Sequence, residues 1–441
     1  MIGTDVAPQR ALVLHPRTQF GAATADYELE EAIGLTEALD LVPVGGEIVP
    51  LREIRANTYF AGGKIEEVKG RVAAEDINVV VVNASLSPIQ QRNLERAMNA
   101  KVIDRQGLIL EIFALRAATK EGRLQVELAR QGYERSRLVR TWTHLERQRG
   151  GQGFLGGPGE RQIESDRRAL DERITRLRRQ LDKVRQTRGL QRRKRERAPE
   201  RIVALVGYTN AGKSTLFNAV TEGDVLAKDM LFATLDTTLR VLTLPNGKPA
   251  LLSDTVGFIS NLPTELIAAF QATLEEVKLA DLLVHVRDIA DPLTEERRED
   301  VLGVLDQIGA GPAHDQATIE VWNKADLLKP SALSSIEDAL DHQGPDDTAA
   351  YLVSAQTGSG LDALKLGIET HLAQNDRTLL IEIEPKDYAA RAWLFENGDV
   401  LQEVSVPETG HSELTVRLTE IDAGKFRQRF RDVKSSKAAN S

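Results

Sequence analysis

The stretch "RIVALVGYTNAGKSTLFNAV", Arg201 to Val220, decides the fold of the central part of this chain. It reads as a buried strand, a glycine-rich loop and a helix, the order that a phosphate-binding loop requires. In the spacing G-x-x-x-x-G-K-S, backbone N–H groups surround the phosphates, Lys213 reaches the β and γ oxygens, and the Ser214 hydroxyl binds Mg²⁺. The predicted nucleotide contacts are Gly207, Tyr208, Thr209, Asn210, Ala211, Gly212, Lys213 and Ser214.

Three further motifs select the nucleotide, and each follows a predicted strand. "DTVG", Asp254 to Gly257, offers a carboxylate to hold Mg²⁺ through water and an amide to contact the γ-phosphate. The carboxylate of "NKAD", Asp326, accepts two hydrogen bonds from guanine that adenine cannot donate, and "SAQTG", from Ser354, supplies a backbone amide to the guanine oxygen. These motifs predict a GTPase; a P-loop ATPase with an accidental "NKAD" is the alternative. The further predicted contacts are Asp254, Thr255, Val256, Gly257, Asn323, Lys324, Ala325, Asp326, Ser354, Ala355 and Gln356.

The sequence does not identify the catalytic group for hydrolysis. Ras-like proteins orient the attacking water with a glutamine directly after the "DxxG" glycine, and Phe258 stands there in this chain. Because an apolar side chain cannot orient water, we expect slow intrinsic hydrolysis that a partner molecule or a K⁺ ion completes. Asn210 is the candidate K⁺ ligand; the alternative is that its side chain only stabilises the loop. In "LFATLDTTL", Thr234, Thr237 and Thr238 are all candidates for the threonine that completes the Mg²⁺ shell.

The first 118 residues predict a separate α/β domain with a largely parallel sheet. Strands are predicted at Ala11 to His15, Leu41 to Pro50, Val79 to Asn83 and Lys101 to Arg105, with helices near Tyr27 to Leu39, Gly63 to Ala74 and Ser87 to Met98. Asp104 and Arg105, at a strand end, could contact a ligand, although we favour a structural role. The other predicted domains are a basic helical hairpin at 119–198, the Ras-like GTP-binding domain at 199–373, and a small α+β domain at 374–441 that ends in a disordered tail.

The predicted hairpin is antiparallel. Its second helix carries apolar residues at heptad spacing, and its first helix offers a matching seam. The two seams are Ile163, Leu170, Ile174, Leu177, Leu181 and Val184, and Leu124, Leu128, Leu138, Trp142 and Leu145. Between them, "GGQGFLGGPGE" contains the G-x-G-x-x-G spacing of a dinucleotide site. Because a charged helix precedes these glycines where a dinucleotide site needs a buried strand, we interpret them as an exposed hairpin tip.

The net charge of −9 hides a basic segment. From Arg161 to Arg197 there are 15 Lys or Arg residues against 6 Asp or Glu residues, a local charge of +9 that leaves −18 for the rest of the chain. Such a segment is typical of an RNA or DNA contact, and a solvated helix face is the alternative.

The absence of cysteine excludes disulfides and thiolate sites. No apolar run approaches the roughly 18 residues that span a bilayer, so we expect a cytoplasmic protein.

With "GYTNAGKST", "LFATLD", "DTVGF" and the tip "GGPGERQIESDRR", the chain resembles the HflX family of ribosome-associated GTPases over about residues 10–373. The resemblance implies that Thr234 is the Mg²⁺ threonine, within the GTP contacts Phe232, Ala233, Thr234, Leu235 and Asp236. It also implies that the large ribosomal subunit is the partner, and that the GTPase cycle drives ribosome splitting or rescue. The tip residues implied to reach ribosomal RNA are Gly151, Gly153, Gly156, Gly157 and Arg161.

The chain departs from the family pattern at the tip and in the switch. Arg161 stands where the family usually has threonine, Thr237 stands at a usual proline, and Ala61 and Gly62 interrupt a usual basic run. The resulting hypothesis is a monomeric GTP-driven switch that binds ribosomal RNA. The alternative is a GTP-gated adaptor whose hairpin is a coiled-coil dimerisation arm with a protein partner. The N-terminal domain shows no phosphate-binding motif of its own.

Overall fold

A computed structural model describes residues 8–17, 24–148, 158–195, 201–221, 232, 238–260, 274, 276–344, 348–374, 376–405, 410–431 and 433–437. Three separate β-sheets and one long helical pair organise these residues. In this described part of the chain, no helix is both long and apolar enough to cross a membrane.

The N-terminal sheet is wholly parallel, as predicted. It contains β1 (Arg10–Arg17), β2 (Val42–Pro50), β3 (Val79–Val82) and β4 (Lys101–Asp104) in the order β2-β1-β3-β4. Helices α1 (Ala25–Ala38), α2 (Gly62–Ala74), α3 (Pro88–Met98) and α4 (Arg105–Arg116) cover both faces. Successive strand residues bury opposite faces: Ala11 and Val13 join the core beside α1 and α4, whereas Leu12 and Leu14 join the core beside α2 and α3.

Helix α3 begins where the sequence predicts. The Ser87 hydroxyl accepts a hydrogen bond from the Gln90 amide at 3.2 Å, and the Gln90 side chain accepts one from the Ser87 amide at 2.9 Å. This reciprocal capping box, followed by Pro88 at the first helical position, satisfies backbone donors that a helix start leaves open.

Helix α4 was not predicted, although its signals are present in the sequence. The Asp104 carboxylate caps it by accepting a hydrogen bond from the Gly107 amide at 2.8 Å. Leu108, Ile109, Ile112 and Phe113 then recur at helical spacing and are fully buried. Asp104 itself is 1% exposed, which confirms the structural role favoured for it.

The predicted antiparallel hairpin is present as α5 (Lys120–Gln148) and α6 (Pro158–Arg195). Ile174, Leu177 and Leu181 of the heptad seam are buried. Ion pairs also join the helices: Arg135 to Asp171 and Arg173 to Glu127, both at 2.8 Å. At 1.5 Å rise per residue, α5 is about 40 Å long. The tip glycines Gly151, Gly153, Gly156 and Gly157 lie outside the described residues, as do the side chains of Arg161, Ile163, Leu138, Trp142 and Leu145.

The central sheet is that of a P-loop G domain. Its strands are β5 (Arg201–Gly207), β6 (Thr238–Thr243), β7 (Pro249–Asp254), β8 (Leu282–Asp288), β9 (Thr318–Asn323) and β10 (Ala350–Leu352). They lie in the order β10-β9-β8-β5-β7-β6, with only β6 antiparallel to its neighbour. Helices α7 (Lys213–Val220), α8 (Thr294–Ile308), α9 (Pro330–Asp341) and α10 (Leu361–Ala373) flank it, with 3₁₀ turns at Pro312–His314 and Ala325–Leu327.

The C-terminal unit is a small antiparallel sheet with two helices. It contains β11 (Arg377–Ile383), α11 (Tyr388–Asn397), β12 (Asp399–Ser405), β13 (Ser412–Leu418), α12 (Glu420–Arg429) and β14 (Ser435–Lys437) in the strand order β12-β13-β11-β14. The prediction of a disordered tail from Lys434 is therefore wrong for its first residues. Ser435 to Lys437 pair with the free edge of β11, where backbone groups alone supply the hydrogen bonds.

Candidate nucleotide site

The glycine-rich loop after β5 leaves no room for a side chain at Gly207 or Gly212. Gly207 has φ +153°, and a Cβ there would lie 2.2 Å from the carbonyl oxygen of Val286 on β8. Gly212 has φ +89°, in the left-handed region, and a Cβ there would lie 2.3 Å from Asn323 Nδ2. Only glycine fits at both positions, so the loop presents backbone at the start of α7, where N–H groups favour an anion.

Lys213 is the first residue of α7 and lies beneath this loop. Its side chain is almost fully buried, and Nζ donates hydrogen bonds to the carbonyl oxygens of Gly207 at 3.0 Å and Tyr208 at 2.7 Å. Burial lowers the pKa of Lys213 to about 8, and the nearby carboxylate of Asp254 partly opposes that shift. The arrangement places a desolvated ammonium beside backbone donors, which suits a phosphate group.

The predicted base-recognition residues meet on the far side of the loop. The Asn323 amide donates to the Ala211 carbonyl at 2.9 Å, and its oxygen accepts from the Ala355 amide at 3.0 Å, so Asn323 ties two predicted motifs together. The Ser354 hydroxyl donates to Asp326 Oδ1 at 2.6 Å and orients that carboxylate. The ends of β5, β9 and β10 thus supply the loop and base-recognition residues from widely separated sequence positions.

Comparisons with known proteins support the same assignment along the chain. Family models described as GTP-binding GTPase N-terminal, GTP-binding GTPase Middle Region and 50S ribosome-binding GTPase match residues 26–114, 116–195 and 202–324. The GTPase HflX of Magnetococcus marinus is 51% identical over 367 residues, 82% of this chain and 82% of the relative. That of Escherichia coli strain K12 is 44% identical over 361 residues, 79% of this chain and 83% of the relative. The chain belongs to the HflX family of GTPases.

One solved structure also matches most of the chain. A GTP-binding protein of Sulfolobus solfataricus in complex with GDP is 23% identical, with a TM-score of 0.46, and the match covers 83% of this chain and 99% of that one. The HflX family membership and the P-loop G domain together show that this chain binds and hydrolyses GTP.

The oxygen donors of this HflX-family site fit Mg²⁺. The Ser214 hydroxyl donates to Asp254 Oδ2 at 2.8 Å, so a hydroxyl and a carboxylate converge beside the phosphate-binding loop. Asp254 is 2% exposed, and the Thr255 hydroxyl anchors the next residue to the Leu205 carbonyl at 2.6 Å. Mg²⁺ prefers such hard oxygen ligands together with nucleotide phosphates. Within the described residues, no cluster of three or more His, Asp or Glu side chains offers another metal site.

Phe258 occupies the position where other GTPases orient water, and its side chain is packed into the HflX-family core. It is 3% exposed, its amide donates to the Gly207 carbonyl at 3.1 Å, and its carbonyl accepts from the Thr209 amide at 2.7 Å. The segment after Gly257 is therefore joined to the P-loop through its backbone, and the Phe258 ring contributes to packing. Among the described residues, the geometry assigns no water-orienting side chain at this position.

Some predicted contacts have side chains that bind elsewhere, and others lie outside the described part of the chain. The side chains of Tyr208 and Phe232 are buried and directed toward the N-terminal domain, so a nucleotide contact of either residue stays a prediction that concerns its backbone. Ala233, Thr234, Leu235, Asp236 and Thr237 fall outside the described residues. Sequence reasoning missed the contacts of Glu31 and Arg105 with the G domain, because the partners in each contact are more than 150 positions apart and share no local pattern.

Proposed function

We propose that this HflX-family GTPase binds the large ribosomal subunit through its helical hairpin and couples GTP binding and hydrolysis to ribosome splitting or rescue. The observation that carries the proposal is a two-helix arm of about 40 Å with a basic outer surface. The matched description of residues 202–324, 50S ribosome-binding GTPase, supports the same partner.

The charge distribution of the arm supports an RNA partner. Arg176, Arg178 and Arg179 are exposed on α6, and the segment from Arg161 to Arg197 carries a net charge of +9 in a chain of net charge −9. Ribosomal RNA binds such a surface because neutralising its phosphates releases counterions. The arm thus supplies sequence-independent affinity, and the tip residues 151–157 are proposed to contact the RNA.

The nucleotide residues would act as follows. Backbone groups from Gly207 to Gly212 and the ammonium of Lys213 bind the phosphates, and Asp326 selects guanine. Ser214, Asp254 through water and, by family resemblance, Thr234 would hold Mg²⁺, which when bound neutralises phosphate charge. Because Phe258 is packed in the core, we propose that the ribosomal partner or a K⁺ ion held by Asn210 completes the hydrolytic site.

The adaptor alternative is less well supported by the packing. It requires the heptad seam of the arm to pair with another protein. Ile174, Leu177 and Leu181 are instead buried in this chain, where α6 packs along α5. The outward faces carry arginines, which suit phosphate groups better than an apolar partner helix.

Salt-dependent binding tests the arm. Changing Arg176, Arg178 and Arg179 together to Gln should reduce affinity for purified large subunits and lower the slope of log affinity against log salt by roughly 2 to 3 units. The matched control changes Arg52, Arg92 and Arg96 of the N-terminal domain, which are also exposed, to Gln. Equal slopes for both triple variants and the parent chain would contradict the RNA-binding arm.

GTP turnover with and without large subunits tests the coupling. We expect subunits to stimulate turnover, and deletion of residues 151–157 to abolish that stimulation while GTP affinity is retained. Stimulation that survives the deletion would exclude the tip as the segment through which the ribosome stimulates GTP turnover.

The K⁺ proposal is tested in the same assay, since turnover that is equal in K⁺ and Na⁺ buffers would exclude a role for Asn210 as an ion ligand.

A further inference from the structure

The N-terminal sheet has a ligand position typical of its fold. Strand β1 lies between β2 and β3, so the chain reverses its direction of travel across the sheet between the carboxyl ends of β1 and β3. In open parallel sheets the crevice at such a reversal is the usual binding site. Here His15 and Asn83 stand at the two strand ends with His15 Nδ1 and Asn83 Nδ2 2.9 Å apart, and Arg105, directly after β4, donates to Asn83 Oδ1 at 2.8 Å.

The G domain reaches this position. Arg105, only 8% exposed, also donates to the Ser260 hydroxyl at 3.1 Å and to the Ser260 carbonyl at 3.3 Å. Ser260 is the third residue after Gly257, the glycine of the "DTVG" motif. The segment that follows the γ-phosphate-sensing glycine is thus held by a buried guanidinium of the N-terminal domain.

Glu31 on α1 closes a network with the P-loop. Its carboxylate accepts from Arg105 at 2.7 Å and from the Tyr208 hydroxyl at 2.5 Å. The same Tyr208 oxygen accepts from the Ser260 amide at 2.9 Å, so one hydroxyl joins Glu31, the P-loop and the segment after Gly257. Burial raises the pKa of Tyr208, and the negative charge of Glu31 raises it further. The hydroxyl therefore stays protonated and able to donate a hydrogen bond.

A second contact lies about two turns further along α4. The ring of Phe113 meets the ring of Phe232 edge-on with centroids 4.6 Å apart, and both side chains are buried. Phe232 precedes the candidate switch residue Thr234 by two positions. Helix α4 therefore contacts the chain next to both switch motifs, one through Arg105 and the other through Phe113.

We propose that Glu31 and Arg105 are positioning residues for GTP hydrolysis. They act through Tyr208 and Ser260, and they fix the position of the P-loop relative to the "DTVG" segment. An apolar core that continues from α4 into the G domain also joins the two domains. The polar network adds directional bonds to a P-loop side chain and to the Ser260 backbone. Since Ser260 lies within about 10 Å of chain from Gly257, movement of Gly257 toward a γ-phosphate changes these bonds. By linkage, the bonds then change the affinity for GTP relative to GDP.

The test uses the full-length chain with Arg105→Ala, Glu31→Gln and Tyr208→Phe. Affinities for GDP and for a non-hydrolysable GTP analogue are measured, with kcat for GTP without ribosomes. We expect Arg105→Ala and Glu31→Gln to lower kcat and the GTP-analogue preference over GDP by about tenfold, with GDP affinity changed less than about twofold. Tenfold corresponds to about 1.4 kcal/mol, close to the lower end of the roughly 1.5 to 3 kcal/mol for one hydrogen bond to a charged group.

Controls separate positioning from simple stability. Arg71→Ala removes an arginine of α2 that pairs with Glu47 and Glu75, away from the G domain. This change should leave kcat and the GTP-to-GDP preference unchanged. In a double-mutant cycle, Tyr208→Phe with Glu31→Gln should cost less than the sum of the two single changes, because both weaken the same bond between Tyr208 and Glu31. Glu31→Gln keeps the side-chain size, so it remains informative where Arg105→Ala does not fold.

Two results would overturn the proposal. The first is an unchanged kcat and nucleotide preference in Arg105→Ala and Glu31→Gln. The second is a parallel loss of GDP and GTP affinity with a lowered unfolding temperature, which would assign the network to domain stability alone. Because no ribosome enters the assay, either result would leave the proposed ribosomal function untouched.

Discussion

The N-terminal sheet and the G-domain sheet can be compared at the carboxyl ends of their strands. One presents backbone groups there, and the other presents polar side chains. In the G domain, Gly207 and Gly212 exclude side chains and leave backbone donors above Lys213. In the N-terminal domain, side chains including Asn83 and Arg105 fill the crevice, and Arg105 meets the G domain. In this chain, the sheet whose carboxyl ends carry tight glycines suits phosphate, and the sheet whose carboxyl ends carry polar side chains contacts the other domain.

The largest effect should come from the lysine of the phosphate-binding edge. Lys213→Ala should weaken GTP binding by roughly 100-fold, because a charge-assisted contact to phosphate is lost. The matched change is Lys64→Ala on α2, whose ammonium pairs with Glu67 at 3.0 Å and with Glu47. Fluorescent-nucleotide titration should show unchanged affinity for that variant. Weakened binding by Lys64→Ala would break the comparison, since it would give the nucleotide a contact in the N-terminal domain outside the network of Glu31 and Arg105.

Glycine substitutions should change the free energy of unfolding in opposite directions in the G domain and in the N-terminal domain. Gly212→Ala forces alanine to φ +89° and against Asn323, and should lower the free energy of unfolding by roughly 2 kcal/mol. Gly70→Ala, in the interior of α2 with open space around its Cβ, should raise it by up to about 1 kcal/mol. Calorimetry of both variants provides the measurement. A destabilising Gly70→Ala would mean that the α2 backbone has a constraint like that of the P-loop.

The smallest predicted effect concerns pH. Burial lowers the pKa of His285, inside β8, to about 4, with Glu320 opposing and Arg287, Arg298 and Lys213 reinforcing the shift. The unfolded chain takes up this proton near pH 6.5 and the folded chain does not, so stability falls as pH drops from about 6.5 to 4. Between pH 7.5 and 5.5 the loss should be about 1 kcal/mol.

His285→Gln should remove that part of the acid sensitivity, as thermal unfolding at the two pH values would show. In the N-terminal domain, burial also lowers the pKa of His15, but there Glu28 at 3.4 Å opposes the shift and only Arg105 reinforces it, against three cations at His285. We therefore expect His15→Gln to flatten the pH dependence less. The comparison would be reversed by a larger effect at His15 than at His285.

Local sequence motifs predict the nucleotide site, whereas no local motif predicts the interface between the N-terminal domain and the G domain. The P-loop spacing, the capping box at Ser87 and the parallel strands depend on residues close together in sequence, and the structure confirms those elements. Arg105 and Ser260 are 155 residues apart, and no periodicity relates them. The strand Ser435–Lys437 was missed for a related reason: its polar residues carry no alternation, and only the open edge of β11 makes it a strand.

The position of α4 in the chain has a mechanical consequence. Only residues 117–119 separate it from α5, so the helix that touches both switch segments is also the base of the arm. In the proposed function, the arm would therefore act as a lever whose short end lies at the nucleotide site. A rotation of about 5° at the base would move the far end of a helix about 40 Å long by roughly 3 to 4 Å. Such a displacement is comparable to the spacing of stacked bases, so under the proposed function a small change at the phosphates would move the end of the arm by about one RNA base step.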